Sequence, residues 1–241
     1  MKPIFKIFIV LFIIIQNIIT FQIPLEQFKT INHNKNYFIV DIRSHSQVIK
    51  EGFIPNSVNI SLKYKFEKFA TKLILGKNKV KVIIVSENDS KANINRVKEA
   101  TTRLKAIGFK LKSHLEGGYQ NWKSNNLPIQ KMKVLKHIDL PNYLKQNKNH
   151  IVLDVREIPE WKKGVLPNSL FISLGNLHLE NNLNLLRRYS SKEIIVLCGA
   201  GVRAHMAVSL LIKNGFKNVT KIEGGMMRIR EKKVKLIKYH A

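Results

Sequence analysis

Apolar positions in this chain follow two alternating patterns. Glu193-Ile194-Ile195-Val196-Leu197 is a short, nearly continuous apolar run of the kind a buried strand carries, whereas Ala204-His205-Met206-Ala207-Val208-Ser209-Leu210-Leu211-Ile212 places its apolar residues at helical spacing. Asn214-Gly215 closes that helix as a C-terminal cap, and Asp139-Leu140-Pro141 opens another with proline just inside its start. Strands alternating with helices predict an α/β architecture: a mainly parallel sheet with helices on both faces. Leu127-Pro128-Ile129-Gln130-Lys131-Met132-Lys133 reads as a short linker. Arg228 to Lys238, with Lys232, Lys233 and Lys235, reads as the solvated face of a terminal helix or as a docking patch.

The pattern occurs twice. Asp41-Ile42-Arg43 corresponds to Asp154-Val155-Arg156, Ile54-Pro55-Asn56-Ser57 to Leu166-Pro167-Asn168-Ser169, and Glu116-Gly117-Gly118 to Glu223-Gly224-Gly225. The offset falls from 113 at the first landmark to 107 at the last. Self-similarity at about a hundred residues means two domains of one fold, since each copy is long enough for its own core. The 241 residues, 44% of them hydrophobic, divide into an amino-terminal segment over 1–24 and domains over 25–132 and 133–241.

The amino-terminal segment is different in kind. Ile7 to Ile15 is an unbroken apolar run behind Lys2 and Lys6, interrupted by Gln16-Asn17 and resumed through Ile18-Ile19-Thr20-Phe21. Residues 4–21 therefore read as a signal peptide or a short membrane anchor, either uncleaved or removed on export. With the lysines on its amino-terminal side, an anchor leaves both domains on the outer face. The alternative is a helix buried in a cytoplasmic globular protein.

A formal net charge of +26 raises nucleic-acid binding as a function class. The excess comes mainly from lysine spread along both copies among many Ile and Asn residues, which reads as compositional bias, so no nucleic-acid partner is assigned. The charge suits anionic thiols, anionic sulfur donors or acidic lipid surfaces. The eight histidines are scattered, with no clustered metal-ligand spacing, so neither a metal nor another cofactor is expected.

The single cysteine, Cys198, stands where the strand at 193–197 gives way to Gly199-Ala200-Gly201-Val202-Arg203-Ala204, and a lone cysteine rules out any disulfide within the chain. A thiolate, not a thiol, is the nucleophile, so something must stabilise the anion. A glycine-containing loop that opens a helix can do this, because its amides converge and the helix dipole adds positive charge. Arg203 adds a permanent charge with a planar fork of donors. The bland reading of Cys198 is a buried inert side chain, and that of Arg203 a solvated residue in a first helical turn.

Cys198 to Ala204 resembles the active-site loop of the rhodanese sulfurtransferases. Leu153 to Glu157, Gly164 to Ser169, Gly215 to Val219 and Glu223-Gly224-Gly225 resemble that family's entry strand, proline turn, last strand and glycine pair, in the family's order. The resemblance covers about residues 25 to 235. This sequence departs from the family at Val165, where histidine is frequent, and at Met226-Met227-Arg228, where an aromatic residue usually follows the glycines. The second departure leaves the packing of the last helix open. The first copy, through Leu115 to Trp122, is similar to rhodanese-like repeats fused behind metallo-β-lactamase-fold domains.

The resemblance implies two rhodanese-like domains and sulfur transfer through a Cys198 persulfide. Thiosulfate, mercaptopyruvate or a small persulfide is the implied donor, and cyanide, a small thiol or a protein thiol the implied acceptor. Gly199, Ala200, Gly201, Val202 and Arg203 bind the donor, with Asp154 and Arg156 as structural supports of the loop. Gly199 and Gly201 match the mercaptopyruvate type and Arg203 the thiosulfate and persulfide type, so donor identity stays open. Aligning the copies places Ser86 opposite Cys198, and a serine cannot carry a sulfane sulfur, so the first copy is expected to be silent. The spacing Cys-x4-Arg is one residue short of the Cys-x5-Arg that a phosphatase cradle needs. The rival from another class is a noncatalytic or sulfur-relay module at the membrane.

Overall fold

The computed structural model describes residues 22–63, 65–74, 79–231 and 234–239. The amino-terminal segment expected to be a signal or anchor lies almost wholly outside them. No helix among the described residues is long and apolar enough to cross a membrane.

In chain order the first copy supplies β1 (Gln22–Ile23), α1 (Leu25–Ile31), β2 (Tyr37–Asp41), α2 (His45–Glu51), β3 (Ser57–Asn59), α3 (Phe66–Leu73), β4 (Lys81–Val85), α4 (Lys91–Ala106), β5 (Lys110–Leu115) and α5 (Gly118–Ser124). The second supplies β6 (Lys133–Leu135), α6 (Leu140–Gln146), β7 (His150–Asp154), α7 (Ile158–Trp161), β8 (Ser169–Phe171), a 3-10 turn (Leu174–Asn176), α8 (Glu180–Arg187), β9 (Glu193–Leu197), α9 (Val202–Lys213), β10 (Val219–Ile222) and α10 (Gly225–Glu231). Each copy forms a five-stranded sheet, in the orders β1-β5-β4-β2-β3 and β6-β10-β9-β7-β8, with β1–β5, β5–β4, β4–β2 and every neighbouring pair of the second sheet parallel. Two parallel α/β sheets are the fold class expected from the sequence. The compact units cut across the copies: Arg43–Leu75 groups with Pro128–Ala241, and Gly76–Leu127 with the chain that ends at Ile42.

β9 is buried along its whole length, as a central parallel strand covered on both faces must be. Ile195 and Leu197 join Val152, Ile222, Leu140, Met226 and Ile229 in one core on the α6 and α10 side. Met226 thus fills the place where an aromatic residue was expected after the glycine pair. The alternate residues of β9 and β10 face α9, which packs against both strands. Glu193 opens the strand and is 6% exposed, yet its carboxylate is satisfied by the Tyr143 hydroxyl at 2.7 Å, the Asn147 amide at 2.8 Å and the Thr220 hydroxyl at 2.5 Å. The phenol of Tyr143 is pushed above its ordinary value, chiefly by that bond to Glu193.

The repeat is visible in local geometry. Asn56 and Asn168 both take left-handed backbone, at φ 66° and 57°, which asparagine tolerates best among non-glycine residues. In each turn the following serine hydroxyl donates to the carbonyl three residues back, Ser57 to Ile54 at 2.7 Å and Ser169 to Leu166 at 3.0 Å.

Within the short linker at 127–133, Gln130 forms an antiparallel bridge with Phe53 and the Lys131 ammonium donates to the Glu51 carbonyl at 2.9 Å. One expectation needs correction. The basic run 228–238 is not one continuous terminal helix: Arg228 to Glu231 lie in α10, whereas 234–238 lie outside any helix. Val234 and Leu236 pack on the core, and Ile237 bridges Val165 through reciprocal bonds of 2.9 and 3.0 Å. Packing Val234 and Leu236 on the core favours an extended strap over a continued helix. Its end, Tyr239, sits 5.5 Å from Trp161 and 5.0 Å from Phe171, centroid to centroid.

Candidate active site

Cys198 follows the last residue of β9, and α9 begins four residues later at Val202. The cysteine is 1% exposed, and its Sγ accepts a hydrogen bond from the Gly201 amide at 3.1 Å. That bend needs Gly201 at φ 90°, a conformation open to glycine and costly to other residues. The carbonyl side of the loop is held by the first turn of α10: the Met226 amide donates to the Cys198 carbonyl at 2.7 Å and the Met227 amide to the Gly199 carbonyl at 2.9 Å. Because the peptides are trans, the amides of Gly199 and Ala200 point away from α10. Such close approach requires Gly225, where an added Cβ would lie 2.3 Å from the Cys198 carbonyl oxygen.

Arg203 is not an open guanidinium. Its Nη1 and Nη2 donate to the two carboxylate oxygens of Glu160, both at 2.6 Å. The hydrogen bond from Arg203 holds the Glu160 carboxyl below its ordinary value, and the bond to Glu160 raises Arg203. The guanidinium lies against the loop, since a Cβ on Gly199 would meet Nη2 at 3.0 Å. Sequence reading missed Glu160; its only trace is an acidic residue on the short helix that follows the β7 end.

Asp154 and Arg156 place that helix. Arg156 Nε and Nη2 grip Asp154 Oδ2 at 2.9 and 2.7 Å, with both residues at most 2% exposed. The remaining guanidinium valences run to the carbonyls of Glu160 and Gly164, both at 3.0 Å. The Val155 amide between them donates to the Leu197 carbonyl at 2.9 Å, immediately before the cysteine. Their connection to Arg203 therefore runs through Glu160.

Lys221 is the second residue that sequence reading missed. It is 7% exposed on β10, on the α9 side, and a Cβ on Gly201 would sit 3.6 Å from its Cε and 3.7 Å from its Nζ. Burial pulls its ammonium below the ordinary lysine value, while the charges of Cys198 and Glu223 act in the opposite direction. A lysine inside the otherwise buried strand Val219-Thr220-Lys221-Ile222 was the available signal. Two further cavities adjoin the Arg203–Glu160 pair. One of about 310 Å³ is lined by Gly199, Ala200, Lys163 and Arg230 among others, and one of about 280 Å³ by Lys65, Lys68 and Lys72.

The first copy has the same frame with different contents. The Tyr119 amide donates to the Ser86 carbonyl at 2.8 Å and the Gln120 amide to the Glu87 carbonyl at 2.9 Å, as Met226 and Met227 do in the second. The Ile42 amide meets the Val85 carbonyl at 2.9 Å, matching Val155 and Leu197. Ser86 thus occupies the cysteine's place, 1% exposed, its hydroxyl donating to the Asn88 carbonyl at 3.2 Å. Its loop carries carboxylates: Asp89 accepts from the Gly117 amide at 2.7 Å and from Gln22 at 2.9 Å, and Glu87 accepts from Gln120. The stretch from Ser86 to Gly108 is five residues longer than that from Cys198 to Gly215, one of them in the loop and four in α4, which has 16 residues against 12 in α9.

The rhodanese-like domain profile matches this sequence twice, over residues 24–125 and 139–232, and the chain belongs to that family. Among curated relatives, the tRNA uridine(34) hydroxylase of Wigglesworthia glossinidia brevipalpis is 26% identical over 223 residues, covering 80% of this chain and 69% of that protein. The enzyme of the same name from Prochlorococcus marinus (strain MIT 9515) is 28% identical, covering 73% of this chain and 47% of its own length. For the Buchnera aphidicola (subsp. Baizongia pistaciae) hydroxylase the identity is 29%, and this chain spans only 33% of its length. Among solved structures, the 3-mercaptopyruvate sulfotransferase SseA of Escherichia coli aligns over 86% of this chain and 98% of its own, at 19% identity and a TM-score of 0.39. A rhodanese-like domain protein of Staphylococcus aureus aligns over 45% of this chain and 100% of its own, at 28% identity and a TM-score of 0.40.

Proposed function

We propose that this protein is a sulfurtransferase that carries a sulfane sulfur on Cys198 between a small anionic donor and a thiophilic acceptor. The observation that supports it best is the sulfur of the chain's single cysteine accepting an amide hydrogen bond inside a strand–loop–helix cradle, with buried Lys221 and half-buried Arg203 beside the loop. In the first step the thiolate attacks the outer sulfur of thiosulfate, the donor's S–S bond breaks, and sulfite leaves with the bonding electron pair. In the second, cyanide or a thiolate takes that sulfur from the persulfide, and the cysteine thiolate returns. The two steps balance without an outside oxidant or reductant.

The first copy is silent in this proposal, because a hydroxyl cannot hold a persulfide and the Glu87 and Asp89 carboxylates repel an anionic donor. As a further part of the proposal, the segment over residues 1–24 exports or anchors the protein. Domain limits at 25–132 and 133–241 complete it.

The names of the matched relatives favour a second reading, action on a tRNA uridine, although this chain spans as little as a third of their length. The test is thiocyanate or persulfide formation from thiosulfate, mercaptopyruvate and glutathione persulfide, run beside nucleoside analysis of tRNA incubated with the protein. Turnover with at least one donor, retained within about twofold in Ser86→Ala, is the expected outcome. No turnover with any donor, together with a modified uridine, would overturn the proposal in favour of the second reading.

A further inference from the structure

Arg203 was the residue assigned by sequence to the donor's charge, yet both arms of its fork are held by Glu160 at 2.6 Å. A bidentate pair of this kind has little charge left to offer a second anion. Lysine is almost never buried without a paired anion, because an isolated ammonium loses its hydration. Lys221, at 7% exposure, therefore needs an explanation. It reaches Nζ beneath Gly201, the residue whose amide already binds the cysteine sulfur at 3.1 Å. Opposite-face neighbours do not compete for it, since the register of β10 puts Thr220 and its bond to Glu193 on the other side.

We propose that Lys221 supplies the positive charge that holds the anionic sulfur of Cys198 and the charged end of its donor, the task that Arg203 is too occupied to perform. This rests on the sulfur-transfer reading and deepens it, by making the donor an anion bound from the β10 side of the loop. The other charged or titratable groups bearing on this place are few. Glu223 lies two residues farther along the same strand end, and Arg203 stands across the loop with Glu160. His205, on α9, faces Lys221 with its ring stacked on His45 at 4.3 Å. Burial pushes His205 well below the ordinary imidazole value, with His45 and Lys221 adding to the effect, so it stays neutral and adds no cation.

The test compares the alkylation rate of the single thiol by iodoacetate and by iodoacetamide in the full chain. Taking the ratio of the two rates cancels the thiolate fraction and the accessibility, leaving the local charge that the anionic reagent feels. Lys221→Met is expected to lower the iodoacetate-to-iodoacetamide ratio by about fivefold or more, fivefold being the effect of one unit charge about 4 Å away in bulk water and burial strengthening it. Lys221→Arg restores it, and a near-ultraviolet spectrum identical to wild type identifies variants that keep their fold. A ratio unchanged in a folded Lys221→Met would overturn the inference, as would one unchanged in Lys221→Met while Arg203→Met lowers it. Because the readout involves no sulfur donor, it holds or fails separately from the sulfur-transfer reading.

Discussion

Gly225→Ala is expected to cost about 3–5 kcal/mol of stability, from left-handed strain together with overpacking that the neighbouring backbone cannot relieve. The glycine sits at φ 59°, and the new methyl would meet the Cys198 carbonyl oxygen at 2.3 Å and the Gly199 carbonyl carbon and oxygen at 2.8 Å. Those atoms are backbone, fixed by the Met226 and Met227 hydrogen bonds, so the collision can be relieved only by parting α10 from the loop. Gly215 separates the two contributions. It has φ 89° and nothing within 4 Å of an added Cβ, so Gly215→Ala carries the strain without the clash. Urea unfolding of both variants should put Gly215→Ala about 1 kcal/mol below wild type and Gly225→Ala far lower. Equal losses would mean that α10 does not brace the loop through this contact.

Asp154→Ala should cost a similar amount, about 3–5 kcal/mol, because it strands a buried guanidinium. Arg156 is 2% exposed and has three bonds of 2.7 to 3.0 Å from its guanidinium to this carboxylate. Replacing both partners, Asp154→Leu with Arg156→Met, should recover much of the loss, since an apolar pair of similar volume leaves no unpaired charge. The double variant is also informative about the site. It removes the bonds that fix the Glu160 and Gly164 carbonyls, so Arg203 should lose its fixed partner even where global stability returns. Thermal unfolding of the single and double variants checks the first point. A single variant as stable as wild type would show the pair to be dispensable.

The features legible in the sequence were those set by local chemistry or by repetition. The strand at Glu193–Leu197, the helix ending at Asn214-Gly215, the proline turns and the glycine pairs are each specified by adjacent residues, and their recurrence marked two copies. Cys198 was readable because its loop is contiguous. Glu160 and Lys221 were not, since their positions depend on how β7, α7 and β10 meet the loop from 38 and 23 residues away in the sequence. Nor could the sequence foresee that Arg43–Leu75 would group with the second copy, because its repeat landmarks belong to the first. The terminal run misled for a simpler reason: its lysines dominate the composition, but the packing of Val234 and Leu236 on the core and the Ile237 bridge to Val165 decide the conformation.

The central claim is that one sulfur atom travels on one side chain. Incubating the protein separately with thiosulfate, mercaptopyruvate and glutathione persulfide, then weighing it intact by mass spectrometry beside Cys198→Ser, tests this directly. A gain of one sulfur atom per chain with at least one donor, lost on adding cyanide and absent in Cys198→Ser, is the predicted result. No gain with any donor, or an equal gain in Cys198→Ser, would contradict it.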